Sequence, residues 1–340
     1  MPVALAAQRW RDALEEWRIP PEIRARAAAS PWVLPVALFA GRARRQLAEP
    51  SGVSYQVALE ALPEGGSVLD VGAGAGAASL ALRERAGRIT AVDADVRMLQ
   101  ELVELAQSGP DGVGWRTAGA PLVRTVLGSW PDVADSVPPA DVVVCHHVLY
   151  NVADLPPFVA ALSAHAYRRV VVELTPRHPA SLLNPLWLDL HGLARPAGPT
   201  ADDALEVIAG TGVTAHWWQW DRPITGDGTS YPELVDSTAR RLCLGPERRA
   251  DVDAALRRHG AGPEHPYLGG ATRDLVTIWW DTATGADPAT QPMAGAPSAS
   301  EDRNAAGVPA TGKDPAAGAA VHDGGSPNGG RPRGEVIGHA

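Results

Sequence analysis

Hydrophobic positions in this chain change period twice. From Ala4 to Trp17 they recur at helical spacing, with Leu5, Trp10, Leu14 and Trp17 predicted on one face. Pro20-Pro21 interrupts that helix, and Pro21-Glu22 can open the next, since proline suits a first helical turn. Two further helical stretches are predicted, Pro35–Leu47 and Ser54–Leu62. From Gly66 the period shortens. Apolar, β-branched runs at Ser67–Val71, Arg88–Val92, Val123–Leu127, Asp141–Cys145 and Val170–Glu173 read as buried strands. Helix-like stretches at Ala77–Arg85, Val96–Gln107 and Leu155–Ala166 separate most of them. Beyond Pro199 the pattern predicts a helix at Asp202–Ala209, a strand at Val213–Trp220, a helical insert over Tyr231–Arg258 and a final strand at Leu275–Trp280.

Strands alternating with helices imply a parallel sheet covered on both faces, a doubly wound α/β fold. The division expected is a helical cap over residues 1–62, an α/β domain over 63–282 and a tail over 283–340. The tail has no Leu, Phe, Tyr, Trp or Cys and is dominated by Ala, Gly and Pro. Such a composition cannot offset chain entropy by burial, so the tail is expected to be disordered.

Composition narrows the classes. Two cysteines, Cys145 and Cys243, exclude a disulfide framework or a cysteine-rich zinc site. Charges at Arg9, Arg11 and Asp12 precede any signal-peptide core, and the longest apolar run, Trp32–Ala40, contains Pro35 and is far too short to span a membrane. A cytoplasmic protein is expected. The formal net charge of −9 argues against a protein that coats nucleic acid. Of the 30 basic residues only Lys313 is a lysine, and it lies in the tail.

The candidate chemistry centres on Ser67-Val-Leu-Asp-Val-Gly-Ala-Gly-Ala-Gly76. A strand ends at Val71, and Gly72, Ala73, Gly74 and Gly76 form a loop in which a Cβ would hold a cofactor off the backbone. A helix starting near Ala77 would add free N–H groups and partial positive charge. Asp93, at the end of the second strand, is placed to grip a ribose diol. Gly72, Gly74 and Ala77 also satisfy the dinucleotide pattern, so a nicotinamide-dependent oxidoreductase stays open. Asp70 favours the other class: a carboxylate there repels pyrophosphate and suits a ligand with an ammonium, as S-adenosylmethionine has.

Leu69–Asp93 resembles the cofactor loop and following acid of class I S-adenosylmethionine-dependent methyltransferases. The likeness continues at Gly128–Asp132, Asp141–Asn151 and Arg169–Pro176, and Pro31-Trp32 with Trp187–Asp203 is similar to actinobacterial methyltransferase-domain proteins. The resemblance implies a Rossmann-like sheet of seven strands, the last antiparallel. It implies that Gly72, Gly74 and Gly76 pass the methionine part, that Asp70 holds its ammonium, directly or through water, and that Asp93 holds the ribose. It places Ala94 at the adenine edge, Ser129 where many members carry an acid for the adenine amino group, Trp130 stacked on the ring, and Cys145 beside the sulfonium methyl.

Ligands in such sheets sit at the carboxyl ends of the strands, which gathers Cys145, His146, His147, Tyr150, Asn151, Thr175, Arg177 and His178 round one crevice. Methyl transfer needs alignment and exclusion of water, and a base where the acceptor must lose a proton. His146 ranks first for that role and His178 second, with His147 the third candidate. Cys145 reads as a buried, inert thiol. Adjacent His146 and His147, with His178 and His191, match no ligand spacing, and no metal site is expected. The tryptophans at 217, 218, 220, 279 and 280 read as core and cover more readily than as a cage for a cationic acceptor. Pro179–Arg195 and Tyr231–Arg258 are the lid candidates. Motifs of nucleobase amino and cytosine-C5 enzymes are absent after strand four, which favours a small-molecule acceptor. An RNA acceptor and a non-catalytic, cofactor-binding module are the alternatives.

Overall fold

The computed structural model describes residues 3–32, 35–108, 122–224 and 230–282, together with the backbone of Val336–Ile337. Seven long strands form one sheet: β1 (Gly66–Val71), β2 (Ala86–Asp93), β3 (Leu122–Leu127), β4 (Ala140–His146), β5 (Ala166–Leu174), β6 (Ala215–Pro223) and β7 (Thr272–Asp281). Their order is β3-β2-β1-β4-β5-β7-β6, and β7 runs antiparallel to both neighbours, as the resemblance implied. A two-residue strand, β8 (Val336–Ile337), pairs with the edge of β6, where the composition of the tail predicted none. The rest of the expected disordered tail lies outside the described residues.

The leader is spread over the sheet. Helix α1 (Val3–Glu15) packs on α6 (Leu155–Ala164) and α8 (Ala201–Gly210) over one face. After the short α2 (Pro21–Arg24), helices α3 (Val36–Ala48) and α4 (Val53–Ala61) cover the other face beside α5 (Val96–Ser108). The stripe of α1 that sinks into the core is Ala6, Ala7 and Trp10; Leu5, expected there, is 50% exposed. Small alanines let α1 approach α8 closely enough for Trp10 to bury fully and donate its indole N–H to the Val152 carbonyl at 2.8 Å.

A third apolar cluster joins Ile19 to Leu186 and Trp187 of α7 (Asn184–His191), Val235 of α9 (Tyr231–Arg241), and Val252 and Leu256 of α10 (Arg249–Arg258). Both lid candidates therefore contribute to a packed core. Capping boxes start α8 at Thr200/Asp203 and α9 at Ser230/Glu233, each satisfying two orphan donors.

One predicted helix is missing. Between Gly76 and β2 the chain makes turns with a single 3-10 segment, Leu80–Leu82. The buried Asp70 carboxylate accepts the Ser79 N–H at 3.3 Å. Among the described residues no helix is long and apolar enough to cross a membrane.

Candidate functional site

The carboxyl ends of β1 and β2 hold the glycine loop. Gly72, Gly74 and Gly76 all have positive φ, at 70°, 53° and 86°. Their surroundings differ. A Cβ at Gly72 would lie 2.3 Å from Val148, and one at Gly76 would lie 2.9 Å from both Leu80 and Leu102. At Gly74 nothing lies nearer than Phe39 of α3, at 3.8 Å. Only Gly74 thus matches the expectation of backbone left open to a ligand. Gly72 and Gly76 are glycines because of backbone conformation and the protein's own packing. With no regular helix after Gly76, the expected helix-terminus charge is absent as well.

Asp93 ties this loop together. Its two carboxylate oxygens accept the N–H groups of Gly74 and Asp95, each at 2.8 Å. Each oxygen keeps a further lone pair for hydroxyl donors. Asp70, by contrast, is 1% exposed beneath the loop, and burial pushes its carboxyl up to about 7. Its visible role is to hold the Ser79 turn. Direct contact with a ligand's ammonium is not available to it in this conformation.

Ala94 and Ser129 are exposed at the ends of β2 and β3. Trp130 is not available to stack on a ring: it is buried in the core against His165, the ring centroids 4.8 Å apart. Cys145 is fully buried in the core on the α1 side of the sheet, with its thiol pushed up by burial and then by Asp70, so its side chain offers nothing to a ligand.

A second constellation sits where β4 and β5 end. Parallel pairing sets His146 directly beside Glu173. The next residue, His147, has φ 59°, sparsely populated for a side-chain-bearing residue. Its backbone N–H donates to the Glu173 carbonyl at 2.8 Å, and its Nε2 lies 3.2 Å from Glu173 Oε1. Arg222, near the end of β6, places one guanidinium nitrogen 3.1 Å from each Glu173 oxygen. Burial alone would push Glu173 up. Coupling to His146, the His147 contact and the Arg222 charge outweigh it, and the carboxyl lies below its usual range.

His146 is brought to this cluster, but its Nε2 is buried without a hydrogen-bond partner, and burial lowers the ring to about 4. His147 keeps 38% of its side chain exposed. His178 stands apart with Tyr150 and Thr175. Its Nδ1 accepts the Ala180 N–H at 3.2 Å, capping its own turn, and its ring stacks on Trp17 at 4.2 Å. Burial, Arg241 and Arg195 lower it to about 4. The tryptophans are divided between the faces: Trp280 is buried on the α1 face, while Trp220 lies on the other face over Gly52, hydrogen-bonded to Thr277. Among the described residues no group of acids, histidines and cysteines could hold a metal.

Glu173 and Arg222 were missed as site residues. Glu173 sits in an apolar run that reads as plain strand, and its arginine is 49 residues away. The one available signal was a lone acid ending a buried run.

A sequence profile of the methyltransferase-domain family matches residues 41–223, more than half of the chain. The chain belongs to this family. It is an S-adenosylmethionine-dependent methyltransferase of class I. The open backbone at Gly74 and the acceptor pair of Asp93 fit that cofactor. Among solved structures, the methyltransferase is similar to the YcgJ protein of Bacillus subtilis, at 19% identity over 67% of this chain and 97% of that one, with a TM-score of 0.42. It is also similar to magnesium protoporphyrin IX methyltransferase of Synechocystis PCC 6803 with bound SAH, at 16% identity over 69% and 82%, TM-score 0.39. A third is a cyclopropane-fatty-acyl-phospholipid synthase-like protein of Lactobacillus casei, at 16% identity over 80% and 98%, TM-score 0.40. No curated protein matches the methyltransferase's sequence.

Proposed function

We propose that the methyltransferase acts on a small molecule that gives up a proton to a histidine at the end of β4. The observation that carries this reading is that β1 and β4 are parallel neighbours, so that the Gly74–Asp93 cradle and the His146–His147 pair follow strand ends on the same carboxyl side of the sheet. In this reading Asp93 accepts from the ribose hydroxyls, the backbone at Gly74 lies along the methionine part, and Ala94 and Ser129 border the adenine. Asp70 acts one layer below, by holding the Ser79 turn. The bound cofactor supplies a methyl group already activated on sulfur. The protein's own part is to align the acceptor, exclude water and take its proton.

Small-molecule acceptors are favoured over RNA by the state of the basic insert. Arg248 pairs with Asp251, Arg249 with Asp236, Arg257 with Asp253, and Arg258 with Asp189. These guanidinium groups sit at the surface, each beside a carboxylate that offsets its charge, which lowers the net positive charge the insert offers to a phosphate backbone. Both cysteines are free and buried, in keeping with a cytoplasmic setting.

The test is to supply S-adenosylmethionine labelled on the methyl group with a low-molecular-weight cell extract in one tube and total RNA in another. Label is expected in the small-molecule fraction only. Label confined to RNA overturns the acceptor class, and failure of S-adenosylhomocysteine to bind in calorimetry overturns the cradle.

A further inference from the structure

The cluster where β4 and β5 end does more than bring two histidines together. Glu173 is 1% exposed, one guanidinium nitrogen of Arg222 lies 3.1 Å from each of its oxygens, and Nε2 of His147 lies 3.2 Å from its Oε1. A buried carboxylate at that distance favours the ring form with hydrogen on the facing nitrogen, which biases His147 toward hydrogen on Nε2 and a lone pair on Nδ1. The unusual backbone of His147 serves the same end. At φ 59° the chain turns sharply off the strand, and its N–H is fastened to the Glu173 carbonyl at 2.8 Å. Both the main chain and the ring of His147 are thus fixed by one residue of the neighbouring strand. Conformations of this kind persist only where surrounding contacts impose them.

His146 lacks these features. Its Nε2 is enclosed without a partner, and no described contact orients the ring.

From this geometry we infer that Glu173 is a positioning residue which selects His147 as the proton acceptor, with Nδ1 as the reacting nitrogen and Arg222 as the clamp that keeps Glu173 ionised. In the step served, the acceptor's O–H or N–H bond breaks toward Nδ1 as its lone pair forms the new bond to the methyl carbon. The carbon–sulfur pair leaves with sulfur. His147 becomes an imidazolium whose charge Glu173 offsets, and it then releases the proton to water. The inference rests on the proposed use of a strand-four histidine.

Long-range proton–nitrogen NMR on the full chain, labelled with nitrogen-15, reads the tautomer directly and needs no acceptor. The His147 signals, assigned by their loss in His147→Gln, are expected to show hydrogen on Nε2 and a bare Nδ1 at neutral pH. In Glu173→Gln they should move toward a mixture of tautomers. In Arg222→Lys, which keeps the cluster's charge, they should move the same way by less. S-adenosylhomocysteine affinity should hold in each variant. A wild-type His147 with hydrogen on Nδ1, or a mixture, overturns the inference, and this spectrum decides even where Glu173→Gln fails to fold. Diethyl pyrocarbonate, which acylates unprotonated ring nitrogen, should label His147 ahead of His146 and His178 in peptide mass spectra; His146 labelling first overturns the choice of base. Loss of S-adenosylhomocysteine binding with the tautomer intact would strike the cofactor cradle and leave the inference standing.

Discussion

The two ends of the site are built by different means. At β1 and β2 the groups that the proposed function uses are main-chain amides, glycines and one carboxylate, drawn from a short continuous stretch and joined by hydrogen bonds from Gly74 and Asp95 to Asp93. At β4 and β5 they are side chains from three strands, and the binding force is a buried acid shared by a histidine and an arginine. The first arrangement needs only local shape. The second depends on strand register and on leaving no charge unpaired, since a buried charge that loses its partner is costly. Cofactor binding and proton chemistry should therefore come apart under mutation.

The largest separation is expected from His147→Gln. Methyl transfer should fall roughly 10²–10⁴-fold, the range for loss of a positioned base, with S-adenosylhomocysteine affinity kept. An equal loss in both would erase the distinction between the two ends. Asp93→Ala should do the converse. Charge-assisted hydrogen bonds of about 1.5–3 kcal/mol each are lost, which predicts a rise in Kd of about tenfold or more by calorimetry.

Within the loop, Gly72→Ala should destabilise the fold by about 1–3 kcal/mol in denaturant titrations, because a Cβ must displace Val148 at a positive φ. Gly74→Ala should cost only about 1 kcal/mol of stability but weaken cofactor binding. Equal effects would mean that the loop has one role throughout.

Acidity distinguishes the ends more gently. Asp70 is raised from 3.8 to about 7, so across that window the folded chain holds a proton that the unfolded chain has released, and stability falls as pH rises. His146 and His178 are lowered from 6.5 to about 4, so the unfolded chain holds the extra protons and stability rises with pH over that window. Asp70→Asn removes the opposing contribution. Its Tm relative to wild type should climb between pH 4 and 7, and a constant difference would show that Asp70 is not the group responsible. The smallest effect is expected of Ser129→Asp, which restores an acid at the exposed end of β3 and should tighten S-adenosylhomocysteine binding by about 0.5–1.5 kcal/mol.

These differences follow what a sequence can display. Strands β1, β2, β4 and β5 were legible because β-branched runs with turn residues between them have few other uses. Asp93 was legible from its distance to the loop. The helix expected at Ala77–Arg85 is replaced by turns and the 3-10 segment Leu80–Leu82, a difference that periodicity does not encode. The reason for Gly72 and Gly76 was misread, since side chains from Val148 and Leu102 arrive from elsewhere in the chain. Trp130 looked like a ligand platform because an aromatic after a strand end is the same letter whether it faces out or in; packing against His165 turns it in. Glu173 was hidden by its neighbours: in Val-Val-Val-Glu-Leu the acid looks incidental, and only the register of β4 against β5 sets it beside His146.

The placement of α1 has a consequence for how the protein is made. Its cover is α8, and the Trp10 indole hydrogen-bonds to Val152, so the helix synthesised early has its partners far later in the chain. As the chain leaves the ribosome, α1 emerges with an apolar stripe and nothing to lay it on until β4, α6 and α8 have followed. Long sequence separation of this kind slows folding and prolongs exposure to aggregation. Helix α1 is made before the elements that cover it and settles only once they have formed.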